Sequence, residues 1–306
     1  MSRRGWLLFA VMCVVWGVPY LLIKVAVAEL APTELVLCRT ALGAAVLLPW
    51  AVATRALLPA LRAWRPLLLF AVLEMAGPWW LLAHAERQLP SALTGLLVSA
   101  VPLVAAVAGR AVGEADRLDR TRVAGLVVGL AGVGLLLGLD IGGGDVTAVA
   151  AVGLTVVGYA FGPLVVSRSL RDIPSQGVNA AALTVTALLF LPLGARAYDG
   201  LPSGRVVVAV LVLGLVCTAL ALVLFFALIA EAGPHRALVI TFVNPAVAVV
   251  LGLVLLGEPL TVGTALGFPL VLLGCVLATR RNAGARDRQG RQPEVPAPGR
   301  QARESV

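Results

Sequence analysis

Long apolar runs, separated by short charged or Gly/Pro-rich breaks, organise this chain from its first residues to about position 280. Ten runs stand out: 6–28, 33–53, 66–85, 90–109, 123–139, 146–166, 174–195, 206–229, 235–256 and 261–279. A helix rises about 1.5 Å per residue against a hydrocarbon core of about 30 Å, so roughly 20 apolar residues cross a bilayer. Runs of this length without alternation predict helices, whose backbone is satisfied within one segment; barrel strands would be half as long and would alternate. Two connections, 29–32 and 86–89, are short enough to make tight hairpins. The predicted fold class is all-α integral membrane, with ten transmembrane helices.

Composition agrees with that pattern. Hydrophobic residues make up 60% of the 306 and charged residues only 13%, where a soluble domain carries about a quarter charged. The net charge of +8 would suggest nucleic acid if it were clustered on a folded surface. Half of it instead lies between Arg280 and Val306, where seven arginines face Asp287, Glu294 and Glu304. That Pro- and Gly-rich tail, residues 281–306, is expected to be disordered. The remaining basic residues sit in loops and read as a topology signal, with some attraction to anionic lipid and none to nucleic acid. With the N-terminus in the cytoplasm, and the tail left out, twelve loop arginines fall inside and three (Arg87, Arg196, Arg205) outside. Both termini are therefore expected in the cytoplasm, and the chain in a cytoplasmic membrane. Arg3-Arg4 followed by Ala26-Val27-Ala28 has the outline of a signal peptide, but the apolar stretch is too long and Lys24 interrupts it, so it is read as a retained span.

Several chemistries have no residues to carry them. Cys13, Cys38, Cys217 and Cys275 each lie inside an apolar run with no metal-ligand spacing, which predicts neither disulfide nor metal site. No phosphate-binding G-x-x-x-x-G-K-[ST] is present, and Gly142-Gly143-Gly144 follows no strand, so no nucleotide or other cofactor is expected. No Ser/His/Asp grouping is visible, and His84 and His235 fall on opposite predicted membrane faces. The chain does not read as an enzyme.

The two halves resemble each other. Pro90, Pro102, Gly113-Glu114, Gly125 and Gly132 recur in order as Pro234, Pro245, Gly257-Glu258, Gly267 and Gly274, at offsets between 142 and 144. Ala31-Pro32 likewise matches Ile173-Pro174. Two diverged copies explain this, a first over residues 1–139 and a second over 140–280. Five spans per copy is odd, so the second copy must sit inverted, an architecture that recurs in secondary transporters with the solute site near mid-membrane.

On these residues, together with Trp16-Gly17-Val18-Pro19-Tyr20, Lys24, and Pro32 with Arg39, the chain resembles the EamA-type branch of the drug/metabolite transporter superfamily over about residues 6–280. The resemblance implies a ten-helix inverted-repeat fold with cytoplasmic termini, and a secondary carrier, commonly an exporter of amino acids or other metabolites. The second half departs from the first where charge is concerned: Lys24, Arg39 and Glu74 fall opposite Val165, Ala181 and Thr218. Charge-based chemistry belongs to the first half.

Glu74 is the most informative position, because it lies eight residues, about 12 Å, beyond Pro66. A carboxylate there costs at least about 2.5–3.5 kcal/mol, so it must face a cavity, pair, or carry a proton. It is the proton-coupling candidate; the alternative is a structural tie to a neighbouring helix. Trp16, Tyr20 and Lys24 step by four and would share one face of a continuous helix. Lys24 either snorkels to the headgroups or pairs with a solute carboxylate or Glu74. Arg39 either binds an anionic solute group or pairs with Glu29, Glu34 or Glu86. Trp79 and Trp80 follow the Gly77-Pro78 break and either belt the interface or line a cavity. Tyr159 and Asn244, the latter beside Pro245, are further cavity-lining candidates. Glu114 and Glu258 read as caps of the segments that follow them. A solute carrier in a lipid bilayer is the function these features favour; a non-transporting scaffold or regulator, or an intramembrane enzyme, are the alternatives.

Overall fold

The structure, a computed structural model, describes residues 1–111, 120–140, 146–197, 200–233, 237 and 239–279. Glu114, the glycines at 142–144, His235 and the tail from 281 onward lie outside the described residues.

Every element among the described residues is helical. Nine are long and apolar enough to cross a membrane: Arg3–Ala26 (α1), Pro32–Ala53 (α2), Trp64–Ala85 (α3), Ser91–Arg110 (α4), Arg120–Leu137 (α5), Val146–Leu170 (α6), Ser175–Ala197 (α7), Gly204–Ala232 (α8) and, last in the chain, Val262–Thr279 (α10). Between the last two lies Ile240–Leu256 (α9), equally apolar but only 17 residues long. A rise of about 1.5 Å per residue makes it about 25 Å. Large apolar side chains such as Leu130, Leu188 and Val254 stand on the outside, with exposures of 63%, 63% and 72%. Lipid is the solvent that such a surface requires.

Several helices are interrupted, two of them at prolines. In α1 the regular helix stops at Val15 and resumes at Pro19, because proline has no N–H to continue the ladder but suits a first turn. In α4 a turn at Ser99-Ala100 precedes Pro102, and the Ser99 carbonyl accepts a bond from the Cys275 thiol at 3.2 Å. A freed carbonyl is tolerated in the membrane when a neighbouring helix supplies such a donor. Single π-helical segments interrupt α3 at Val72–Ala76 and α8 at Val212–Leu220. At the repeat offset of 144, the first of these falls within the second.

Packing joins the two halves throughout. Helix α1 lies against α8, α2 against α7, α3 against α6, α4 against α9, and α5 against α10. The α5–α10 contact is built on glycine. A Cβ on Gly132 would lie 2.7 Å from the Val271 nitrogen, and one on Gly125 would lie 2.5 Å from the Ala278 nitrogen. Hydrogen bonds also cross over. Glu29, in the α1–α2 connection, accepts from the Ser203 N–H and hydroxyl at 2.7 Å each, and these bonds hold its carboxyl below the usual carboxylate range.

Gly257 ends α9 in the left-handed conformation (φ 66°), the role expected of the Gly-Glu pair. Glu258 does not cap the segment after it, however. Its carboxylate turns back to the first half and accepts from the Ser91 and Ala92 N–H groups at 2.7 and 2.9 Å. It thereby satisfies the N-terminus of α4, which follows Pro90 and has no side-chain cap of its own. Sequence separation hides such a partner, whereas the adjacent segment is the one that a linear reading offers. Glu258→Ala is expected to lower stability by about 1–2 kcal/mol, the usual worth of a helix cap, read as a lowered unfolding midpoint in detergent.

Candidate functional site

A group of polar and aromatic residues between the halves gathers around Arg39. It lies seven residues into α2, about 10 Å from the helix start, and is only 7% exposed. Its guanidinium carbon stands 3.6 Å from the centroid of the Trp79 ring, a cation–π contact made strong by desolvation. Its Nε donates to the Thr218 hydroxyl at 2.9 Å. That hydroxyl donates in turn to the Leu213 carbonyl at 2.8 Å, five residues back, as the π-helical path of α8 allows. Thr218 therefore repairs the backbone of its own helix and orients the cation of another.

Tyr20, Tyr159 and Cys217 lie within electrostatic range of the same guanidinium. The Tyr159 hydroxyl sits beside the Trp79 indole and is also within range of Glu74. The Tyr20 ring packs on Gly95 of α4, where a Cβ would come within 3.3 Å of it. The cluster thus draws on α1, α2, α3, α6 and α8, and both halves contribute.

Glu74 lies at the centre of α3, inside its π-helical segment. The carboxylate packs on Gly162 of α6, where a Cβ would displace its oxygen. One oxygen, Oε2, is buried without a hydrogen-bond partner. The next turn is equally close-packed: a Cβ on Gly158 would meet the Leu73 carbonyl at 2.5 Å. Two glycines one turn apart on α6 therefore let α3 approach closely enough to enclose the acid.

The other predicted site residues are dispersed. Trp16 does not share a face with Tyr20 and Lys24, because the helix breaks between Val15 and Pro19. Its ring packs on Phe225 of α8, centroids 4.7 Å apart. Lys24 neither reaches toward Glu74 nor snorkels outward. Its ammonium donates to the Glu86 and Leu89 carbonyls at 2.6 and 2.8 Å, tying α1 to the α3–α4 connection. Trp80 is 39% exposed and stacks on His84, away from Arg39. Asn244, with its amide turned so that nitrogen donates, bonds the Ile240 carbonyl at 2.9 Å and the Cys13 carbonyl at 3.1 Å, which joins α9 to α1 ahead of Pro245.

Two of the carboxylates expected to pair with Arg39 are engaged elsewhere, and the third, Glu86, lies within electrostatic range of it without a hydrogen bond. Glu29 is on Ser203, and Glu34 accepts from the Ala31 N–H at 2.8 Å. Glu86 is fully buried, with neither oxygen hydrogen-bonded. Two residues of the cluster, Thr218 and Glu86, were not singled out as site residues. The signal for Thr218 was its place opposite Glu74 in the repeat; for Glu86 it was a carboxylate in so short a hairpin.

What the arrangement can do follows from its parts. A desolvated cation, two tyrosines and an indole form a polar wall in an apolar bundle. Glu74 lies within range of the Tyr159 side of it. Such a wall suits reversible binding of a small polar or charged solute.

Comparison with known proteins agrees. The EamA-like transporter family matches the chain twice, at residues 3–138 and 146–280. Over 270 residues, 87% of each chain, it is 27% identical to a protein of Escherichia coli strain K12 named as an uncharacterized inner membrane transporter, YedA. Over 289 residues, 92% of this chain and 94% of the other, it is 25% identical to an uncharacterized transporter, YvbV, of Bacillus subtilis strain 168. A crystal structure with 23% sequence identity has the same fold, with a TM-score of 0.66 over 91% of this chain and 98% of that one. With both of its halves matched by one family description, this chain belongs to the EamA-like transporter family.

Proposed function

We propose that the chain is a secondary carrier that exports a small metabolite, such as an amino acid, across the cytoplasmic membrane. In this reading it has ten transmembrane helices, α9 included, in two inverted five-helix repeats spanning residues 1–139 and 140–280. Both termini, with the tail at 281–306, are cytoplasmic. The helix pairings support the inversion, because exchanging each helix for the one five places away turns the set of pairs into itself. Orientation rests on the arginine bias of the loops.

The observation that carries the carrier reading is the pair of desolvated ionisable groups, Arg39 and Glu74, held inside the apolar bundle between the halves, with Trp79 on the first and Tyr159 within range of both. A scaffold has no need of a buried guanidinium lying against an aromatic face. Arg39, Trp79, Tyr20 and Tyr159 contact the solute, and Glu74 exchanges the proton that couples movement to the pH gradient. Trp16, Lys24, Trp80 and Asn244 act around that wall as packing and anchoring groups rather than in it.

The test is flux of labelled amino acids and related metabolites in proteoliposomes, with and without a pH gradient, for wild type and Glu74→Gln. Solute-specific flux that responds to the gradient, and loses that response in Glu74→Gln, is the expected result. Undiminished coupling in the variant removes Glu74 from the proton path. No flux for any solute, with well-folded protein, overturns the carrier in favour of the scaffold.

A further inference from the structure

Glu86 is the first residue past α3, at the end of the bundle that holds the α1–α2 and α3–α4 connections. It is fully buried, and neither carboxylate oxygen has a hydrogen-bond partner. The charged and titratable groups facing it come from three other elements: Lys24 and Tyr20 on α1, Arg39 on α2, and Glu258 in the α9–α10 connection. The charged ones are already engaged. Arg39 is held by Thr218 and Trp79. Glu258 is fixed on the Ser91 and Ala92 N–H groups, which favour its anionic form. Lys24 is closest in kind to a partner, yet it bonds the main-chain oxygens of Glu86 and Leu89 and leaves the carboxylate alone.

An ionised carboxylate buried without a donor is costly. The neutral acid is the form that fits this arrangement, and burial accordingly pushes the group well above the usual carboxylate range, with Lys24 pulling the other way and Glu258 adding to the rise. We infer that Glu86 is a proton site whose occupancy sets a latch made by Lys24. With the proton on, the Lys24 ammonium holds the two hairpin carbonyls and clamps α1 to the α3–α4 connection. When the proton passes to water, the new carboxylate captures the Lys24 ammonium, which faces it from α1. The Glu86 and Leu89 carbonyls then lose their partner and the hairpin loosens from α1. The sign follows: a group raised in the folded state stabilises that state at low pH and loses its contribution as pH rises through the folded value. The latch is closed in acid and opens toward alkaline pH. This proton site is separate from Glu74, which lies twelve residues, about 18 Å of helix, away.

Hydrogen–deuterium exchange of the amides at 87–89 tests the latch in detergent-solubilised full-length protein across a pH series, corrected for intrinsic exchange. Wild-type protection is expected to fall about tenfold or more as pH rises, the effect of losing two charge-assisted bonds. Glu86→Gln is expected to stay protected throughout, and Lys24→Met to lack the protection at every pH. Flat wild-type protection, or Glu86→Gln tracking the wild type, overturns the inference. Wild-type protein also permits a second reading without any substitution. Dicyclohexylcarbodiimide, which attacks protonated carboxyls in apolar surroundings, is expected to label Glu86 at neutral pH and less at alkaline pH, located by mass spectrometry. An unlabelled Glu86 overturns the proton site. Neither readout involves flux, so failure of the latch and failure of the carrier proposal are told apart.

Discussion

Arg39→Ala is expected to lower solute flux by about a hundredfold per folded molecule, and Arg39→Lys to restore little of it. A hundredfold corresponds to about 2.7 kcal/mol, in keeping with removal of a desolvated, hydrogen-bonded cation from a site built around it. Lysine keeps the charge but has no planar face to lie on Trp79 and no Nε to reach Thr218 while its tip stays forward. Thr218→Val is the graded comparison. It removes the bond to Arg39 but leaves the stacking, so its loss should be closer to tenfold, about the worth of one hydrogen bond to a charged group. The measurement is initial flux in proteoliposomes, normalised to protein that elutes as a single species. Wild-type flux in Arg39→Ala would reduce the guanidinium to a structural tie between α2 and α8.

Gly132→Leu is expected to destabilise the fold by about 3 kcal/mol, the upper part of the range for overpacking a close contact. The reason is that what a side chain would meet there is backbone: the Val271 nitrogen at 2.7 Å and the Gly267 carbonyl at 2.8 Å. Backbone cannot swing aside as a flexible side chain can, so α5 and α10 would have to separate. Helices in lipid associate through such close packing of small residues, and the lost contact has no hydrophobic substitute. Gly134 supplies the control, since a Cβ there meets nothing within 4 Å. Gly134→Leu should unfold with the wild type, or slightly above it because glycine is a poor helix former. Equal midpoints for both variants in detergent would mean that the glycine seam does not hold the helices.

What could be read in the chain, and what could not, divides along physical lines. Apolar run length depends on local sequence and bilayer thickness, so the run at 66–85 appears as α3 within two residues. For the run at 235–256 the described helix begins at Ile240, and residues 234–236 and 238 lie outside the described residues. Arg39 and Glu74 were also legible, because an ionisable group deep in an apolar run needs a reason to be there wherever the partners lie. Interruptions were less so. Pro19 was visible, but its effect on Trp16, which turns the ring toward Phe225, depends on how the helix restarts. The π-helical segment around Glu74 leaves no mark on hydrophobic periodicity at all. Partners were least legible, since Thr218 and Arg39 are 179 residues apart, and nothing in either neighbourhood names the other. The repeat was the one device that reached across such distances, and it did point to Thr218 as the counterpart of Glu74.

The cap on α4 bears on how the protein is made. Ser91 leaves the ribosome 167 residues before Glu258, and at about 5–20 residues per second that is a wait of about 10–30 s. During that interval the first half sits in the membrane with a bare helix end and, once made, a glycine face on α5 that has no α10, while Arg39 waits until residue 218 for its hydroxyl partner. The first half is thus a lodger without its own lock, and completion of the last helices is the event that secures everything inserted before it.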